Sequence, residues 1–366
     1  MADPRLDTLA SVLCGYSLEV AAGDLVLVEG PILAQPLFVP LAREITRRGA
    51  HPVMRPKSED VATAMLEWAG QEQLAYISPI DEWEMMVPDK FLDIWAESNT
   101  RRLNGVPAGN QAIRRAARRP LTERFFERLA RGESRWCGVT LPTEAQAQDA
   151  GMAFADYERF VYGAGHLDDP DPIAAWREVS RRQARVAERL ASVSTLRIVA
   201  ADTDLTLDVS GRPWLNADGH QNFPDGEVFT SPHENATSGH IAFTFDCPYD
   251  GREAAGVRLW FEDGRVVREE ADRGLEFLRE MLDMDEGARR LGEVAFGLNP
   301  EIQRATGSIA FDEKIGGTCH VALGMAFPEA AGTNSSGLHW DMVCDLRSGG
   351  EVYGDGELLA RDGQFQ

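Results

Sequence analysis

The chain has 366 residues, 43% hydrophobic and 26% charged, with 59 acidic side chains against 37 basic ones and a formal net charge of −22. That length exceeds what one hydrophobic core supports, so two domains are expected, and the acidic balance argues against nucleic acid or an anionic membrane as partner. No apolar run reaches the roughly 18 residues of a membrane span, Met-Ala-Asp-Pro-Arg lacks a secretory layout, and the five cysteines are scattered without a Cys-x-x-Cys pair, which together predict a cytoplasmic chain with reduced thiols.

After an amphipathic segment over 6–18, residues 24–30 (Asp-Leu-Val-Leu-Val-Glu-Gly) read as a buried strand ending in a glycine turn. Apolar residues recur at helical spacing over 34–48, and Arg47-Arg48-Gly49 closes that helix. A short strand over 51–54, a helix over 59–71, a strand over 92–96, a basic-flanked helix over 121–131 and a strand over 135–140 continue the alternation. Such alternation predicts an α/β domain with an open, mostly parallel sheet. No Gly-x-Gly-x-x-Gly follows the first strand, so a dinucleotide site is not expected and the domain reads as scaffold.

A long Arg- and Ala-rich helix over 172–193 leads to the expected boundary, with domains over 1–193 and 194–366. Beyond it, short alternating runs are separated by Gly, Pro, Asn and Asp, as at 196–199 and 205–209. Asp263-Gly264 between two such runs is the signature of a hairpin with a type I′ turn. One helix is expected, over 271–291, with Leu275, Leu278, Met281 and Leu282 on one face. The second half is thus predicted to be a strand-rich α+β domain that carries a metal site.

The site is read from His339-Trp340-Asp341. On a strand, residues two apart point the same way, so His339 and Asp341 project side by side, about 6–7 Å apart, while Trp340 and Met342 face the other way. An imidazole and a carboxylate so placed can converge on one cation. Upstream, Glu227 follows Pro224-Asp225-Gly226, Glu293 is flanked by apolar residues in Leu-Gly-Glu-Val-Ala-Phe-Gly, and His320 lies inside the apolar run Cys-His-Val-Ala-Leu-Gly. A carboxylate in a buried apolar strand needs a positive partner. Cys319 would point away from His320 and is read as packing. Each of these residues alone has an ordinary structural explanation. Three carboxylates and two imidazoles in Gly-marked apolar segments point jointly to a metal centre.

The segments Pro224–Thr230, Leu291–Glu293, Phe311–Gly324 and His339–Met342 resemble the thermophilic aminopeptidase T family of metallo-aminopeptidases. The resemblance implies that Glu227, Glu293, His320, His339 and Asp341 bind two divalent ions (Zn, Co or Mn), with a carboxylate bridging them, and that Glu293 is also a catalytic residue. It further implies a peptide substrate, cleaved at its N-terminal residue by a water activated between the ions, and a homodimer. One position departs from the family: where it carries a tyrosine seven residues after the His320 equivalent, this chain has Phe327, which lacks the hydroxyl needed to donate to a developing oxyanion. Two other readings use the same residues. His320, His339 and Asp341 form the ligand type of a non-haem Fe(II) ring-cleaving dioxygenase, and Phe327 suits a weakly active metal-binding homologue.

Overall fold

The computed structural model describes residues 3–366. The chain folds as two compact units, one formed by residues up to Ala175 together with Gly219–Pro224, the other by Trp176–Asp218 and Asp225–Gln366.

The first unit is built on a parallel sheet of β1 (Leu25–Pro31), β2 (His51–Lys57), β3 (Lys90–Trp95) and β4 (Arg135–Thr140), in the order β2–β1–β3–β4, with the short strand Asn222–Phe223 beside β4. Val26, Leu27 and Val28 of the central strand are fully buried. A continuous apolar run of this kind is expected of a parallel strand covered on both faces. The helix expected over 121–131 begins much earlier and spans Ala108–Ala130, with Pro120 inside it. Its added N-terminal turns are anchored by tertiary bonds that the local pattern cannot show: the Asn110 amide donates to the Leu66 carbonyl and the Arg114 guanidinium to that of Tyr76.

The second unit has two large antiparallel sheets and a two-stranded one, Cys247–Tyr249 paired with Arg252–Ala254. The larger, of eight strands, includes Thr195–Ala200, Thr203–Asp208 and the hairpin Arg258–Glu262/Arg265–Glu270. Asp263 and Gly264 at its turn have φ of 48° and 76°, the paired positive values of a type I′ turn. The smaller sheet runs β9–β8–β7–β6–β5, with β5 Leu215–Ala217, β6 Glu227–Thr230, β7 Leu291–Gly297, β8 Thr318–Gly324 and β9 His339–Asp345. The two sheets share one apolar core, to which the smaller contributes Val228, Val294, Phe296, Cys319, Val321, Leu323, Trp340, Met342 and Cys344. The helix Pro172–Leu190 is tied to this sheet by Gln183, whose buried amide donates to the carbonyls of Ala217 and Glu227.

The helix expected over 271–291 is confined to Leu275–Leu282. Gly274, at φ 73°, sets its start, and Asp285 accepts from the Ala288 and Gly337 amides, which turns the chain toward β7.

Candidate metal centre

The outer face of the small sheet carries every residue singled out in its strands. Across the antiparallel register, Glu293 lies opposite Ala322 and Ala322 opposite Asp341, so the two carboxylates share a face with a methyl group between them. In the next row Phe229, Ala295 and His320 are aligned, and His339 pairs with Gly324. Charged and imidazole side chains thus alternate along these strands with Ala295, Ala322 and Gly324 on the same face. Trp340, Met342 and Cys319 point into the core, as the period-2 reading requires.

Glu227, Glu293, His320 and Asp341 are buried, and His339 keeps about a fifth of its side chain exposed. His320 Nε2 stands 3.3 Å from Glu227 Oε2 and 3.7 Å from Glu293 Oε1. His339 Nε2 stands 3.4 Å from Glu293 Oε2 and 3.5 Å from Asp341 Oδ2. Glu293 therefore reaches toward both imidazoles. His339 Nδ1 lies 2.9 Å from the Met325 carbonyl, which accepts its proton, so Nε2, facing the carboxylates, is the nitrogen that would give up its proton to a metal. Gly292 permits this arrangement, because a Cβ there would sit 2.0 Å from that same carbonyl oxygen.

Two charged residues that the sequence reading passed over join the cluster. Glu313, half-buried, offers a carboxylate oxygen within 4.8 Å of ligand atoms of His320 and Asp341. Lys314, with no exposed surface, places Nζ 3.2 Å from Glu227 Oε1 and 3.5 Å from Asp225 Oδ1, and also pairs with Glu313. Their segment lies across the sheet face at Gly297, where a Cβ would come within 2.3 Å of the Ile315 carbonyl oxygen. The available signal was the charged triplet Asp312-Glu313-Lys314 between apolar Phe311 and Ile315.

The electrostatics follow from burial and proximity. Burial opposes charging His320 and His339, but Glu293 and Glu227 around the first, and Asp341 and Glu293 around the second, raise their pKa values to about 9 and about 10. Burial would raise Glu293, yet the two imidazoles hold it down at about 2. Asp341 is pushed up to about 6 by burial, partly offset by His339. The residues fit a metal on an independent ground. Glu227 Oε2, Asp341 Oδ1 and both ring nitrogens of His320 are buried without a well-directed hydrogen bond. Buried polar atoms are normally paired, and carboxylates facing an imidazole this closely without bonding it are what a ligand set looks like around a cation.

Phe327 lies beside the cluster. Its ring meets that of His339 edge-on at 4.9 Å between centroids and that of Phe229 at 5.5 Å, and its amide donates to Ser231 Oγ. Among the described residues no helix is long and apolar enough to cross a membrane.

A profile of the thermophilic metalloprotease (M29) family matches residues 2–365. Aminopeptidase 2 of Geobacillus stearothermophilus is 28% identical over 352 residues, covering 89% of this chain and 84% of the relative. Aminopeptidase T of Thermus thermophilus is 28% identical over 353 residues, covering 89% and 85%. The solved structure of wild-type AmpT from Thermus thermophilus superposes with a TM-score of 0.86 at 26% identity, covering 99% of each chain.

Proposed function

This chain belongs to the thermophilic metalloprotease (M29) family, and on that premise we propose that it removes N-terminal residues from peptides with two divalent ions held by Glu227, Glu293, His320, His339 and Asp341. Its class is that of a metal-dependent peptide hydrolase, in keeping with the family and with relatives named as aminopeptidases over most of their length. The observation that carries the two-ion reading is the convergence of buried, unpaired ligand atoms on one sheet face. Charge supports it. With both imidazoles deprotonated, as ligands must be, Asp225, Glu227, Glu293, Glu313 and Asp341 against Lys314 leave four negative charges, the number that two divalent ions neutralise.

When bound, such ions lower the pKa of a water and polarise the scissile carbonyl. The chain's own groups supply the rest. Glu293 reaches toward both imidazoles and would be the carboxylate shared by the two ions. Met325 fixes the His339 tautomer. Glu313, the most open carboxylate of the cluster, takes the proton of the attacking water and returns it to the leaving amine. Phe327 contributes packing but no hydroxyl, so the oxyanion lacks one donor and turnover is correspondingly low. Carboxylate and imidazole ligands accept Zn²⁺, Co²⁺ or Mn²⁺ alike. Every residue used lies in the unit of Trp176–Asp218 and Asp225–Gln366, so the reading makes that unit, which starts before the expected boundary at 193/194, the catalytic one and the other its scaffold, in a cytoplasmic homodimer. A mononuclear iron oxygenase would need only His320, His339 and Asp341, and the carboxylates Glu227, Glu293 and Glu313 gathered around the same imidazoles give it no support.

The deciding experiment measures metal per chain together with hydrolysis of aminoacyl-p-nitroanilides. Two ions with release of p-nitroaniline bear the reading out. One iron with oxygen uptake, or full metal loading with no hydrolysis, refutes it.

A further inference from the structure

A lysine with no exposed surface is unusual, because an unpaired ammonium in a protein interior is very costly. Lys314 meets that cost with three carboxylates, Asp225, Glu227 and Glu313. Its position is fixed from several sides. Asp312 accepts from the Thr306 amide and hydroxyl and from the Gly307 amide, which pins the turn before it. Asn299 then ties two of the partners together: its backbone amide donates to the Lys314 carbonyl, and its side chain donates to the Asp225 carbonyl. The ammonium is thus a built part of the cluster.

Its placement favours the Glu227 side: of the carboxylates proposed as ligands it touches Glu227 alone among the described residues, and it reaches toward Asp341 only through Glu313. Glu227 turns Oε1 toward Lys314, 3.2 Å away, and Oε2 toward His320, 3.3 Å away. Among the described residues the ion-pair partners of Glu293 are the two imidazoles, and that of Asp341 is His339. An ion held through Glu227 must share that carboxylate with a resident positive charge, whereas an ion held by Glu293, His339 and Asp341 does not.

We propose that Lys314 is a permanent third cation of this centre that makes the two ion positions unequal, so that the ion on the Glu227 side binds more weakly and exchanges more readily than the ion held by Glu293, His339 and Asp341. The inference rests on the two-ion reading. At interior effective dielectric a fixed unit charge beside a divalent ion shifts its affinity by orders of magnitude, and the carboxylates around Lys314 damp this to a split of at least about tenfold.

The test is calorimetric titration of Mn²⁺ into the full-length, EDTA-stripped protein. The expected wild-type isotherm has two steps at least about tenfold apart. Glu227→Gln removes the weak step and keeps the tight one, and Lys314→Met, close in shape and neutral, brings the two steps together. One ion in the wild type that becomes two in Lys314→Met also supports the inference. Two ions of equal affinity in the wild type overturn it while leaving the two-ion reading intact, and so does a split that Lys314→Met leaves unchanged. One ion in both proteins overturns the two-ion reading and the inference with it. Should Lys314→Met not fold, the wild-type and Glu227→Gln isotherms decide the matter.

Discussion

Replacing Glu293 by Gln removes one charge from the centre of the cluster and keeps its shape. That carboxylate lies 3.7 Å from His320 Nε2 and 3.4 Å from His339 Nε2. Against the opposing effect of burial, the imidazoles hold its pKa at about 2 where 4.5 is usual, a preference for the charged form of about 3 kcal/mol. A carboxyl whose pKa is lowered on folding adds stability that is present above the unfolded value, about 4.3, and is lost as pH falls through the folded value. Metal-free Glu293→Gln is therefore expected to be less stable than the parent by about 3 kcal/mol at pH 7, with the gap closing toward pH 2. The assay is urea unfolding of EDTA-treated protein across that range, with metal content after reconstitution measured in parallel. The bridging role predicts loss of bound divalent metal and of turnover, and His339→Ala should lose both as well. A Glu293→Gln protein within 1 kcal/mol of the parent at pH 7 (set against the about 3 expected) and carrying the parent's metal would refute the argument.

Phe327→Tyr places a hydroxyl on a ring already seated between His339 and Phe229, and turnover at equal metal loading should rise by up to about 10²-fold. An unchanged or lower kcat would show that the oxyanion needs no donor from that position. With His320 and His339 held at about 9 and about 10 in the metal-free protein, both are protonated at pH 7 and metal must displace those protons, so affinity should climb with pH until about 9–10. Calorimetry in buffers of different ionisation enthalpy should find about two protons released per loaded chain, and release of fewer than one contradicts the assigned ligands. Light scattering at micromolar concentration should return a mass of twice 40.3 kDa, and a monomer would remove the homodimer from the reading.

The strand periodicity was enough to place His339 and Asp341 on one side and Trp340 and Met342 on the other, because alternation along an extended chain needs no tertiary information. The same local rule put Cys319 in the core and His320 on the opposite face. It failed for the segment after Ala271, whose apolar spacing suits a helix through 291. There Gly274 and the bonds to Asp285 break the run into one short helix and a loop.

Alternation says which way a side chain points along its own strand. It does not say which strands lie side by side, and Glu227, Glu293, His320 and Asp341 come together only through the order β9–β8–β7–β6 and its register. Glu313 and Lys314 lie outside any strand and reach the cluster because Gly297 leaves space for their segment to cross the sheet face. The chain's own chemistry thus determined which residue types could bind metal, and which faces they occupy, through local sterics and burial. The tertiary structure alone decided that a fourth carboxylate, Glu313, and a buried ammonium join the cluster, because those contacts join loops and strands far apart in sequence, and proximity of that kind has no local signature.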